Sequence, residues 1–173
     1  MKNNYLRFVS IGITLLILIL LFLGLYKDQT YSTKYLVGKK LENFQIDSFN
    51  ENSFLSEDDL NEGEYTLINF WASWCVSCKS EHSFLMMLNQ NKRLKLLGIN
   101  FKDKKSKALK FLEEFGDPYD LLAVDNSGKK SVSFGVYGIP ESILINKKLV
   151  IIKKFVGPLN KYDYDEILEI IKQ

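Results

Sequence analysis

Both cysteines of the 173-residue chain, Cys75 and Cys78, stand three positions apart just after the run Leu67-Ile68-Asn69-Phe70-Trp71-Ala72, where strand character gives way to a helical pattern. This junction constrains the fold more than any other stretch, because it asks a buried strand to deliver a thiol onto the first turn of a helix. The N–H groups at a helix N-terminus carry positive potential and favour a thiolate over a thiol. Cys75 is therefore the candidate nucleophile. Cys78 lies one turn further in, on a side turned toward protein, and is the candidate resolving thiol that closes the disulfide. Two cysteines in a single motif exclude a multi-bridge secreted scaffold and leave too few ligands for a Cys-only zinc site.

Upstream, residues 8–26 contain no charge and are flanked by Arg7 and Lys27. At ~1.5 Å per residue such a helix spans about 28 Å, close to the hydrocarbon thickness of a bilayer. Phe22-Leu23-Gly24-Leu25-Tyr26 offers no small-x-small cleavage site, so an uncleaved anchor at 8–26 behind a short tail, 1–7, is expected. Residues 27–40 are polar and aperiodic and read as a tether, with the folded domain at 41–173. Lysines lie on both sides of the span, at Lys2 on one and at Lys27, Lys34, Lys39 and Lys40 on the other, so charge does not fix its orientation. The dithiol is the better guide, and it places the domain beyond the reducing cytoplasm. A net charge of +2, from 23 basic and 21 acidic residues, leaves no electrostatic footprint for nucleic acid.

Within the domain, residues 43–46 read as an edge strand and Ser56 as the N-cap of a helical turn ending at Leu60. Residues 65–72 form an almost continuous apolar run, as in a central strand buried on both faces, and the amide of Asn69 within it requires partners. The helix after the cysteines continues through Leu85 and Leu88 and is expected to end at Lys92-Arg93, whose charge suits a C-terminus. Residues 94–101 are again strand-like. Asp103 is expected to cap a second helix in which Ala108, Phe111, Leu112 and Phe115 form one buried stripe, stopped by Gly116 and Pro118. Two strand-helix units in succession imply parallel strands. After the turn Asp125-Asn126-Ser127-Gly128, residues 142–146 and 149–156 form a hairpin through Lys147-Lys148. A last helix over 161–172 follows, capped by Asn160. The predicted order is β-α-β-α-(short helix)-β-β-α.

Trp-Cys-x-x-Cys between strand and helix, followed by Ile139-Pro140 before a hairpin and closing helix, resembles the thioredoxin fold: an α/β chain with a central mixed sheet flanked by helices, here carrying an N-terminal transmembrane helix. The pairing of Trp74-Cys75-Val76-Ser77-Cys78-Lys79-Ser80-Glu81 with Gly135-Val136-Tyr137-Gly138-Ile139-Pro140-Glu141 is similar to the membrane-anchored thiol-disulfide proteins of cytochrome c maturation, the CcmG or DsbE type. The resemblance implies a protein-disulfide reductase of the bacterial inner membrane, single-pass and facing the periplasm. A membrane thiol-disulfide reductase would be its electron donor, and apocytochrome c or a maturation protein its acceptor. It also implies that Pro140 is a cis-proline facing the dithiol, with Ile139 beside it contacting an extended substrate, and that Glu81, Glu141 and Trp74 tune the redox centre. No cofactor beyond the redox-active Cys75–Cys78 disulfide is implied, and no metal. Val76-Ser77 lacks the proline common after the first cysteine of that family.

Two other functions use the same residues. Cys75, Cys78 and His82, one turn on, form a set that a Cu(I) carrier would need, against the plainer reading of His82 as an exposed helix residue. A general periplasmic disulfide oxidant shares the exchange chemistry with opposite electron flow. Glu81 is either a solvated helix charge or, by the resemblance, an acid close to the dithiol. Trp71 reads as a core aromatic and Trp74 as contact surface, the lysines over 102–110 as a solvated face, and Met86 and Met87 as ordinary helix packing.

Overall fold

A computed structural model describes residues 2–25, 35–50, 53–60 and 63–172. They fall into two compact units divided between Ser32 and Thr33. The first contains helix α1, Lys2–Leu25, within which Leu6–Gly24 is long and apolar enough to cross a membrane. Two hydroxyls within Leu6–Gly24 are satisfied inside the helix: Ser10 Oγ donates to the Arg7 carbonyl and Thr14 Oγ1 to the Ser10 carbonyl. A span can therefore keep both without exposing an unmet donor to lipid. Tyr26 at the end of the expected span, and the tether as far as residue 34, lie outside the described residues.

The second unit is a seven-stranded sheet. Its elements in chain order are β1 (Gln45–Ser48), β2 (Phe54–Ser56), α2 (Glu57–Leu60), β3 (Tyr65–Trp71), α3 (Val76–Leu88), β4 (Leu94–Phe101), α4 (Lys105–Phe115), β5 (Leu121–Asp125), α5 (Lys129–Ser133), β6 (Glu141–Asn146), β7 (Ile151–Val156) and α6 (Lys161–Lys172). The strand order is β2-β1-β5-β4-β3-β6-β7, with β3, β4 and β5 mutually parallel and the outer strands antiparallel. Strand β3 is buried from Thr66 to Trp71, as a continuous apolar run demands. Its alternation sorts the core: Ile68 and Phe70 join Ile46, Leu97, Ile99 and Ile143 on one face. Leu67 faces the other way, against Leu85 and Leu88 of α3 and Ile167 and Ile171 of α6. Trp71, four residues on and on that same face, packs against Phe111 and Leu112 of α4. Asn69 lies between Leu67 and Trp71 on the side that α3, α4 and α6 cover.

Several boundaries differ from the sequence reading. Strand β1 starts at Gln45 rather than Asn43, because Asn43 adopts φ 55°, in the left-handed region that a strand does not admit. Nor is β1 an edge, since β2 pairs outside it. Helix α3 ends at Leu88 with Asn89 as C-cap, and Arg93 lies beyond it, paired with Glu64 at 2.6 Å. Strand β5 is an element that the sequence order lacks. Strand β7 begins at Ile151, since Leu149 takes φ 61° in the hairpin turn, where Asn146 Oδ1 accepts from the N–H groups of Lys148 and Val150. Of the two expected caps, that of Asn160 is complete and that of Ser56 only in its reciprocal half, since Ser56 Oγ donates to Asp59 at 3.0 Å instead of accepting from the helix backbone. Ser56 N–H donates to Asp59 at 2.7 Å, and Asn160 Oδ1 accepts from Tyr162 N–H at 2.8 Å while Asn160 N–H donates back to Asp163. Lys40 bridges to Val150, and Gly38 N–H donates to the Ile151 carbonyl, so ordered chain already lies against β7 before Leu41.

Candidate active site

After Trp71 the chain turns tightly, with Cys75 N–H donating to the Ala72 carbonyl, and Cys75 becomes the N-cap of α3 with an extended φ of −88°. Cys75 and Cys78 form a disulfide with Cα atoms 5.3 Å apart. The Cys78 backbone N–H donates to Cys75 Sγ at 3.1 Å, and Ser77 Oγ lies 3.5 Å from the same sulfur. A sulfur at this position accepts from the helix's orphan donors, and negative charge there is stabilised once the bond is reduced. Both residues are nearly buried, Cys75 at 6% exposure and Cys78 at 2%.

The preceding turn is held by Asp103, which the sequence pattern assigned to capping α4. Lys104 takes the N-cap position instead, without a side-chain bond; Asp103 Oδ1 accepts from its N–H at 2.7 Å, and both Asp103 oxygens also serve the turn before Cys75. Oδ2 accepts from Ser73 N–H at 2.6 Å and Asn100 Nδ2 at 3.2 Å, and Oδ1 accepts from Ser73 Oγ at 2.9 Å. Trp74 Nε1 donates to the Lys102 carbonyl at 3.2 Å, leaving the indole 54% exposed beside Cys75.

Beneath the dithiol lies Glu81, a turn along α3 from Cys78 and with no exposed surface. Its Oε1 accepts from Asn69 Nδ2 at 2.8 Å, and its Oε2 from Leu159 N–H at 2.8 Å. Asn69 Nδ2 also donates to Ser142 Oγ at 3.0 Å, and Asn69 Oδ1 accepts from the Tyr119 hydroxyl at 2.8 Å. The amide thus has the partners its place in β3 requires. Burial, opposed by these hydrogen bonds, pushes the Glu81 carboxyl up to about 7. Burial likewise raises Tyr119 well above the ordinary phenol, with Glu81 and Asp117 adding to the effect. The Tyr119 ring stacks on Trp71 at 5.6 Å and covers Gly98, where a Cβ would approach the ring to 2.7 Å. Glycine is what lets the phenol reach Asn69. The sequence reading missed Tyr119, Ser142 and Asp103 as parts of the site; the demand of a buried Asn69 for partners was the one signal of the first two.

The Ile139-Pro140 peptide bond is cis, and Ile139 packs against the cluster that contains both cysteines. Glu141 is buried, forms an ion pair with Lys154 at 2.6 Å and accepts from Tyr137 N–H and Gly138 N–H. It therefore ties the loop ahead of Pro140 to β7. His82 differs from the exposed residue the sequence suggested: it is 5% exposed, its Nε2 is 3.0 Å from the Gly116 carbonyl, and its ring meets Phe111 edge-on. Burial holds it below the usual imidazole range, with Gly116 opposing. That engagement gives the copper-carrier reading no support, and among the described residues no group of three or more His, Cys, Asp or Glu is placed to hold a metal ion. Met86 and Met87 are both partly in water, at 36% and 41% exposure, with the Met86 thioether lying over Gly116.

The geometry puts a helix N–H on Cys75 Sγ and a buried carboxyl three residues after Cys78 on the same helix, an arrangement compatible with thiol-disulfide exchange. The Redoxin family pattern matches residues 36–169. The chain belongs to the Redoxin family. Within it, the chain is 37% identical to the thiol:disulfide interchange protein DsbE of Pseudomonas fluorescens biotype C, over 92% of this chain and 88% of that one. It is 36% identical to DsbE of Escherichia coli strain K12, over 80% of this chain and 75% of the relative. A thioredoxin-like protein from Aeropyrum pernix superposes with a TM-score of 0.64 at 19% identity, covering 75% of this chain and 88% of that one, and shows the shared fold. This Redoxin is a DsbE-type thiol-disulfide oxidoreductase with the thioredoxin fold and an N-terminal apolar helix suited to a single-pass anchor.

Proposed function

We propose that the chain reduces disulfides in c-type cytochrome maturation, passing electrons from Cys75 and Cys78 to the haem-attachment cysteines of an apocytochrome or to a protein that handles them. The observation that carries this reading is the pairing of a helix-capping Cys75 with a buried Glu81, in a chain over a third identical to proteins named DsbE. In the reduced form, Cys75 thiolate attacks one sulfur of the substrate disulfide, and the other substrate sulfur leaves as a thiolate. Cys78 then attacks Cys75 Sγ, releases the second substrate thiolate and closes the Cys75–Cys78 disulfide, so that one electron pair has moved to the substrate. Glu81 takes the Cys78 proton; an acceptor titrating near 7 beside a thiol of ordinary pKa about 8.5 keeps that transfer close to balanced. Trp74 offers a contact face next to the nucleophile, and Ile139, ahead of cis-Pro140, lines the path of an extended substrate. Glu141 holds that loop in place. A membrane thiol-disulfide reductase restores the dithiol, and the α1 helix anchors the protein in the bacterial inner membrane with its redox unit in the periplasm. This reading sets the anchor at 8–26, the tether at 27–40 and the redox domain at 41–173, with Gly38 and Lys40 at the tether's end already paired with the chain at the start of β7.

Trapping tests the reading. Full-length protein carrying Cys78→Ser, reduced and then mixed with an oxidised Cys-x-x-Cys-His peptide, is expected to accumulate a covalent adduct at Cys75, seen by mass spectrometry. Cys75→Ser is expected to form none. No adduct with the first variant contradicts the proposed order of attack.

A further inference from the structure

A groove of about 580 Å³ opens beside Cys75, between the first turn of α3 and the exposed side of α4. Trp74, Val76, Phe111 and Phe115 make it predominantly apolar, and Val76 is 86% exposed. Phe111 and Phe115 belong to the core beneath it, but Trp74 and Val76, left in water beside a reacting sulfur, add little to that core and gain their free energy only when another surface covers them. The rim carries Lys79, Lys107 and Lys110 against a single carboxylate, Glu114. The Lys79 ammonium sits over the Phe115 ring at 4.0 Å, whereas Lys107 and Lys110 enter no ion pair among the described residues. The sequence pattern made these lysines a solvated face. The structure instead sets two of them at the lip of an apolar groove that ends at the nucleophile. A second copy docking through the same face would bring lysines against lysines, so charge favours a partner of opposite sign.

We infer that this groove receives an extended partner segment whose disulfide is flanked by apolar and acidic side chains, with Lys107 and Lys110 selecting acidic over basic substrates. The inference rests on the reading of the dithiol as a reductant of protein disulfides and adds the chemistry of what it reduces. The apolar side chains of the segment cover Trp74 and Val76, and its carboxylates meet the two lysines as its sulfur approaches Cys75.

The test uses the reduced full-length chain in nanodiscs of zwitterionic lipid and two synthetic peptides of equal length. Each contains one intramolecular Cys-x-x-Cys disulfide and the same phenylalanines; one is flanked by Asp and Glu, the other by Lys. The acidic peptide is expected to be reduced about tenfold faster at low salt, with the ratio shrinking as salt screens the rim. K107Q/K110Q is expected to bring the ratio close to one, and K107E/K110E to invert it. Because each ratio is internal to one protein, partial misfolding of a variant does not mimic the result. Equal wild-type rates for the two peptides, a ratio that the lysine changes leave alone, or a dimer that K107E/K110E dissociates would each overturn the inference. Reduction of neutral 2-hydroxyethyl disulfide by the wild type separates the two levels: if that also fails, the reductase reading falls with it, and if it proceeds, only the groove assignment falls.

Discussion

Replacing Glu81 by Gln should change how stability depends on pH, by an amount set by the carboxyl's burial. In the unfolded chain Glu81 loses its proton near 4.5, and in the folded chain at about 7. The folded state therefore holds this proton more tightly. Its contribution is neutral below 4.5, erodes as pH rises from 4.5 toward 7, and is a full penalty above that window. At ~1.4 kcal/mol per pH unit the penalty is worth about 3 kcal/mol, with little discount for screening because the side chain has no exposed surface. Gln keeps the shape and does not titrate; its amide nitrogen donates and cannot accept, so one of the bonds from Asn69 and Leu159 is lost, a cost that shifts the whole curve without altering its pH dependence. Guanidinium unfolding of the oxidised full-length protein in detergent micelles, followed by Trp71 and Trp74 fluorescence, should show the variant gaining on the wild type by about 3 kcal/mol between pH 4.5 and about pH 8. Parallel stability curves would refute a raised carboxyl. A gap growing in favour of the wild type would mean that the bonds from Asn69 and Leu159 outweigh burial.

Other perturbations probe the supports of the site. Tyr119→Phe keeps the ring on Trp71 but strips Asn69 Oδ1 of its donor, and should cost about 1–3 kcal/mol in the same unfolding assay; no loss would mean that the hydroxyl contributes nothing there. Lys154→Met leaves Glu141 buried without its cation and should cost about 3–5 kcal/mol, most of which Glu141→Gln in the same chain should restore; a double variant as unstable as the single one contradicts the pairing. Asp103→Ala strands Ser73 N–H and Asn100, and should lower both stability, by about 2 kcal/mol, and the rate of disulfide exchange; an unaffected rate would separate the turn from catalysis.

Much of this arrangement is legible in the chain because local signals agree with the global fold. The apolar run of β3, the interval of β4 and the reciprocal cap at Asn160 each depend on neighbouring residues, and each appears where periodicity and capping put it. Strand β5 was not legible: Leu121–Asp125 is a five-residue element whose strand character comes from pairing with β4 and β1. Asp103 illustrates a competition, since an aspartate before a helix is ordinarily a cap, but here the Ser73 turn, thirty residues upstream, draws on both oxygens and the start of α4 keeps only the bond from Lys104 N–H to Oδ1. Cys75 and Cys78 declared themselves by spacing. The environment of Glu81 did not, because its donors come from β3 and from the Leu159 N–H ahead of α6, and no local pattern reports that they converge. His82 is buried for a similar reason: Phe111 and Phe115 of α4 close over a helix face that sequence alone leaves open.

The reduction potential of the Cys75/Cys78 pair tests the central claim most directly. The full-length protein would be equilibrated with glutathione buffers and its thiols trapped and weighed. A value at or below about −200 mV is expected of a protein that keeps haem-attachment cysteines reduced; one near −120 mV would make the pair an oxidant and contradict the account.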